Sequence, residues 1–169
     1  MTRLETERLV LETLTADEAA AIRAGDRTGR VWADDYPSDG DAVVAAVIGE
    51  AGADYDESAA LGVLQVRSRS TGLAIGGIGF LFPAEGGEIE VGYGLVESAR
   101  GLGLASESLA AVIDLAREQG MTRMVALTDV DNVASQRVLQ RAGFTEAGRI
   151  AASDDGSQGA QLRWVRAPL

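Results

Sequence analysis

Apolar and polar positions change period several times along this chain, and each change marks an element. The opening "ERLVLETL" alternates at period two, as a half-buried strand does. It runs into "TADEAAAIRAGD", where Thr15 or Asp17 can cap an alanine-rich helix. The segment "SDGDAVVAAVIGEAG" predicts a second helix, with Val43, Val44, Val47 and Ile48 on its inward side and glycines at its end. Between the two helices, "WADDYPSDG" reads as a loop around a partly buried Trp32, either a plain connector or a carrier of specificity.

From Leu61 the period returns to two. "LGVLQVRS", "LAIGGIGFLF" and "EIEVGYGLV" predict three hairpin-connected strands, joined through "RSTG" and "PAEGG". A helix follows, with Leu109, Val112, Ile113 and Ala116 at helical spacing and a stop at Gly120. "TRMVALTDV" reads as a buried strand. "NVASQRVLQRAGF" reads as a short helix that turns Ala134, Val138, Leu139 and Ala142 inward and ends at Gly143. "TEAGRIAAS" and "AQLRWVRA" predict two closing strands around "DDGSQG". The order implies an α+β fold: a mostly antiparallel seven-stranded sheet with a central parallel strand pair, flanked by about four helices, as a single domain over residues 1–169.

Composition narrows the chemistry. The 169 residues contain no histidine and no cysteine, so Ser-His-Asp and Cys-His nucleophile systems and thiolate or imidazole zinc sites are excluded. All 15 basic residues are arginine, which excludes a phosphate loop with its lysine and any Schiff-base chemistry. Acid–base work therefore falls to carboxylates, hydroxyls or water. The net charge of −11 argues against DNA as a partner and suits a cationic one, although acidity also serves solubility. No apolar run reaches the roughly 20 residues of a membrane span, and the N-terminus lacks a signal-peptide pattern. A cytoplasmic protein without a membrane partner is expected, and a homodimer is compatible with the chain.

The stretch "ESARGLGLASESL" places small residues at the mouth of a helix. Gly101, Gly103 and Ala105 leave successive backbone N–H groups uncovered, and the helix start adds its unpaired amides and positive dipole end. Such a nest holds a phosphate or pyrophosphate, or else the stretch is a bare strand-to-helix turn. A dinucleotide fingerprint has similar spacing but fails on context, because three hairpin strands precede the turn.

The spacing Arg100-x-x-Gly103-x-Ala105 resembles the R/Q-x-x-G-x-G/A acetyl-coenzyme A signature of the GNAT acetyltransferase superfamily. "DNVASQRVLQRAGF" is similar to a second signature, in the branch that includes the ribosomal-protein N-terminal acetyltransferases. The resemblance implies an acetyl-CoA-dependent N-acetyltransferase that acts on a cationic primary amine, with acetyl-CoA as co-substrate and no metal. The alternative is a non-catalytic acyl-CoA-binding sensor or structural module.

The resemblance also implies residue roles. Backbone amides of Arg100, Gly101, Leu102, Gly103, Leu104 and Ala105 would hold the pyrophosphate. Leu95 and Val96 would pair with the pantetheine arm as a strand does, and a backbone N–H there would polarise the thioester carbonyl. Asn132 would hold the arm from the other side. Glu90 is the candidate general base, against a plain solvated carboxylate; Glu88 shares its face and Tyr93 points to the other, as core. Ser135 is the candidate hydrogen-bond donor to the leaving thiolate, against a helix-start residue bonding its own backbone. The tyrosine that many superfamily members carry one turn later is Leu139 here.

Overall fold

The computed structural model describes residues 1–81, 85–153 and 159–169, so parts of the "PAEGG" and "DDGSQG" connections lie outside the described residues. The elements are β1 (Arg3–Glu5), β2 (Leu9–Thr13), α1 (Ala16–Ala24), α2 (Asp39–Ala51), β3 (Val63–Ser68), β4 (Ala74–Phe80), β5 (Glu88–Leu95), α3 (Leu104–Glu118), β6 (Arg123–Asp129), α4 (Val133–Arg141), β7 (Thr145–Ile150) and β8 (Gln161–Arg166). The strands form one sheet in the order β1-β2-β3-β4-β5-β6-β8-β7. The β5–β6 pair is parallel and every other neighbouring pair is antiparallel.

The sheet has eight strands where the alternation predicts seven. The added strand is β1, whose three residues pair with β2 from Arg3↔Glu12 to Glu5↔Val10. Three residues are too few to display a period, so hydrophobic patterning does not reveal it.

Helix boundaries follow local chemistry. Thr15 caps α1 by accepting the Glu18 amide, and Gly25 closes it in the left-handed conformation at φ 65°. Ser38 and Asp41 form a reciprocal capping box at the start of α2. That start lies directly on the sheet: a Cβ added to Gly77 would come within 2.5 Å of Asp41 Oδ1, so only glycine admits the approach.

The inward face of α2 differs from expectation. Ala45, Ile48 and the capping Asp41 are buried, whereas Val43 and Val47 are 65% and 59% exposed and flank an apolar groove with Leu61, Phe80 and Leu81. The run of valines is apolar all round, so its composition does not identify the buried side. α4 differs too, with Leu139 fully buried, Val138 and Ala142 half-buried and Ala134 exposed. Trp32 is fully rather than partly buried; it bridges to Ala74, donates its indole N–H to Glu18 at 3.0 Å and packs on Tyr36.

α3 matches its predicted face, with Leu109, Val112, Ile113 and Ala116 buried in the main core. Leu109 is completely inaccessible. Leu109→Ala should lower unfolding free energy by about 3 kcal/mol through lost transfer and the cavity left behind. Urea denaturation checks this, and a loss below about 1 kcal/mol would show that α3 is not anchored by this contact.

Candidate active site

Strand β5 changes neighbours along its length. Its first three residues pair with β6 from Glu88↔Arg123 to Glu90↔Val125, while Val91 to Leu95 pair only with β4. β6 stays with β8 over its whole length, from Met124↔Arg166 to Asp129↔Gln161. The two central strands therefore separate after Glu90 and open a cleft in the middle of the sheet.

The register shows which backbone groups face that cleft. Val96 donates its N–H to Ile75 O at 3.0 Å, and Leu81 donates to Glu90 O at 3.1 Å. Alternation in an antiparallel ladder then gives even-numbered positions of β5 to β4 and, past the last parallel pair Glu90↔Val125, turns the N–H and C=O of Tyr93 and Leu95 toward the cleft. Val96, expected with Leu95 to pair with the pantetheine arm, thus has its amide engaged within the sheet. Leu95 keeps a cleft-facing N–H while Arg100 Nε donates to its carbonyl at 2.9 Å.

Past the strand, the glycine segment forms a turn at the start of α3. Gly101 and Gly103 have φ of 75° and 77°, a region that side chains with a Cβ rarely enter. Gly103 is the N-cap of α3 and supplies no side-chain acceptor, so the first-turn amides are left for another partner. Gly101, Leu102 and Gly103 are exposed and Leu104 and Ala105 half-buried.

A residue invisible to local sequence reading holds this turn. Arg8, beyond β1, donates through Nη1 to Leu102 O at 2.8 Å and pairs through Nε with Glu107 at 2.7 Å, while its backbone N–H also donates to Glu107 at 2.8 Å. Burial alone would push the Glu107 carboxyl up, but the donors from Thr6 and Arg8 outweigh it and hold the group below the ordinary glutamate range. The carboxylate in the first turn of α3 is thereby paired with a cation. The partners lie about a hundred positions apart, and no motif links them.

Glu90 sits at the apex of the cleft, at the last β5–β6 pair. It is half-buried, and burial raises its pKa, opposed by the charge of Arg163 and assisted by Glu88. Glu88 shares the face, as alternation predicts, but is bound by Arg123 at 2.9 Å and Arg163 at 3.2 Å. Of the two, Glu90 is the carboxylate without an ion pair among the described residues.

The opposite face of β5 meets α4. Asn132 caps that helix by accepting the Ser135 amide at 3.0 Å, so Asn132 and not the Ser135 hydroxyl caps the helix start. The Ser135 hydroxyl lies 2.8 Å from the phenol oxygen of Tyr93. Tyr93, expected as core, is half-buried with its hydroxyl on α4. The loop before α2 is tied to the same end of β5, since Asp35 accepts from Ser98 N at 2.9 Å and Ser98 Oγ at 2.8 Å.

The splayed central strands, the glycine turn and the start of α3 thus lie side by side in one mixed sheet. The sequence matches the family model described as the acetyltransferase (GNAT) domain over residues 8–145, and the chain belongs to that family. Among solved structures, an acetyltransferase from Agrobacterium tumefaciens is 26% identical, with 98% of this chain and 94% of that chain covered and a TM-score of 0.66. Ribosomal-protein-S5-alanine acetyltransferase from Vibrio fischeri shares the fold at 16% identity, with 99% and 97% covered and a TM-score of 0.70. The ribosomal L7/L12 α-N-protein acetyltransferase RimL, in complex with coenzyme A, shares it at 19% identity, with 99% and 98% covered and a TM-score of 0.69. No curated protein matches the sequence. Among the described residues, no helix is long and apolar enough to cross a membrane.

The raised pKa of Glu90 has a consequence for stability. The native state holds this proton more tightly than the unfolded chain, so the favourable contribution is complete at acid pH and is lost as pH rises through the raised value. Glu90→Gln removes that titration. The melting temperature of the variant relative to wild type should climb as pH rises from about 4 through the raised value of Glu90. Calorimetry across that range checks this, and a difference independent of pH would contradict burial as the cause.

Proposed function

We propose that this protein transfers the acetyl group of acetyl-CoA directly to a primary amine within a ternary complex. The observation that carries the reading is the open edge of β5, whose Tyr93 and Leu95 backbone groups lack a strand partner on the cleft side among the described residues. A pantetheine arm carries amides that can extend a sheet edge, and the nest beside it suits a pyrophosphate. Acetyl-CoA supplies the activated acyl carbon, and the protein's residues do the rest.

The amides of Gly101, Leu102, Gly103, Leu104 and Ala105 bind the pyrophosphate; the Arg100 amide, expected among them, is instead donated to Glu97 O at 3.1 Å, and the Arg100 side chain fixes the turn to β5 through Leu95 O. The Leu95 N–H lies on the cleft edge and polarises the thioester carbonyl; Val96 shapes the strand end from within the sheet. Asn132, whose oxygen caps α4, has its amide N–H groups left to hold the arm. Glu90 takes a proton from the incoming ammonium, directly or through water, so that neutral nitrogen attacks the acyl carbon; the second proton leaves nitrogen to solvent as the carbon–sulfur bond breaks and the thiolate departs. A carboxyl held above its ordinary range by burial is closer to the pH at which it must accept a proton. Ser135 donates a hydrogen bond to the departing thiolate.

The substrate is a protein N-terminal α-amine or a small-molecule amine, cationic before it loses its proton. The net charge of −11 favours such an encounter. Peptide α-amines come first in the panel to be tested, because ribosomal-protein acetyltransferases share the fold.

Thiol release from acetyl-CoA, measured with Ser- and Ala-initiated peptides, polyamines, amino acids and aminoglycosides, tests the reading. An amine that stimulates release should lose about a hundredfold in kcat/KM with Glu90→Gln near neutral pH, and higher pH should restore part of it. A deficit that is constant with pH would make Glu90 a substrate-orienting group. No stimulation by any amine, with CoA still bound, would favour the acyl-CoA sensor.

A further inference from the structure

The second hydroxyl at the cleft, that of Tyr93, has no role in the reading above. It reaches across from β5 to the first turn of α4, 2.8 Å from Ser135 Oγ and 3.2 Å from Ser135 O. No other hydroxyl is bonded to Ser135 among the described residues, and position 139 on the next turn is the fully buried Leu139.

One phenol carries one proton, and two arrangements satisfy these distances. Ser135 can donate to the phenol oxygen while Tyr93 donates to the Ser135 carbonyl, which uses the serine proton inside the protein. Alternatively, Tyr93 donates to Ser135 Oγ, and the serine proton is free to turn into the cleft. A negative sulfur in the cleft selects the second arrangement, because a charge-assisted hydrogen bond is about twice as strong as a neutral one. Hydroxyls bonded in series also polarise one another, so a serine that accepts from a phenol is a better donor.

We propose that Tyr93 is a positioning residue for the leaving thiolate: its phenol holds the Ser135 hydroxyl so that the serine proton points at sulfur. This rests on Ser135 lying beside the sulfur, as under the proposed function. Tyr93 touches neither acyl carbon nor sulfur and acts through Ser135. Its ring rests against the core from the half-buried side of β5, so Tyr93→Phe keeps the packing and removes only the oxygen.

The test uses CoA itself, with no acceptor amine. The thiol of bound CoA is titrated by the ultraviolet absorbance of its thiolate, in wild type, Tyr93→Phe, Ser135→Ala and the double variant, with CoA affinity and melting temperature measured alongside. An ordinary thiol titrates at about 8.5, and the wild-type complex should hold it lower. Ser135→Ala should raise it by about one pH unit, a tenfold loss of thiolate at fixed pH. Tyr93→Phe should raise it to a similar extent with CoA affinity unchanged, and the double variant should go no further than Ser135→Ala alone.

Several outcomes would overturn the proposal in distinguishable ways. If CoA does not bind, or if its thiol is not depressed in wild type, the reading of the site fails and the proposal with it. If Ser135→Ala raises the thiol but Tyr93→Phe matches wild type, Tyr93 fails alone. If Tyr93→Phe still raises it in the Ser135→Ala background, the phenol acts on sulfur directly rather than through serine. If Tyr93→Phe weakens CoA binding or lowers the melting temperature and leaves the thiol unchanged, its role is packing.

Discussion

The separation of β5 from β6 after Glu90 is the constraint on which the site depends. Each strand is committed to a different neighbour, β5 to β4 through Gly76↔Leu95 and β6 to β8 through Asp129↔Gln161, and the right-handed twist of a sheet carries two strands so anchored apart. An unpaired strand edge in the middle of a sheet carries unmet donors and acceptors, which is costly unless a ligand or water meets them. The same opening exposes both faces of β5 to one cleft. Alternation puts position 90 on one face of β5 and Tyr93, with Ser135 beyond it on α4, on the other.

Everything around the opening holds its ends in place. α3 is anchored by Leu109, Val112, Ile113 and Ala116, so the glycine turn at its start is attached to the core rather than to a free loop. Arg8 joins that turn to a segment near the start of the sequence and pairs with the Glu107 carboxylate in the first turn of α3. Asp35 and Ser98 tie the loop before α2 to the end of β5. Three segments distant in sequence thus converge on one strand terminus.

Local periodicity and turn chemistry made much of this visible beforehand. The three central hairpin strands, the face of α3, the Thr15 cap and the parallel pair all follow from spacings within a few residues, as does the glycine turn with its left-handed positions. What was not legible depends on contacts across the fold. Val43 and Val47 stand in an apolar run that reads as buried, yet nothing local says which side of α2 meets the sheet. Tyr93 reads as core because its hydroxyl partner is 42 positions away, and nothing local singles out Arg8, whose partners are about 100 away. The engaged amide of Val96 depends on the register with β4, which no single strand encodes.

Amide hydrogen exchange resolved by residue tests the central claim most directly, because it reads the strand edge itself. With saturating CoA, the N–H groups of Tyr93 and Leu95 should become protected from exchange, while that of Val96, already donated to Ile75, should change little. Protection at Tyr93 and Leu95 would show that the ligand completes the open edge of β5. If CoA binds and neither amide is protected, the splayed strands do not form the acceptor edge, and the account of the site built on them is contradicted.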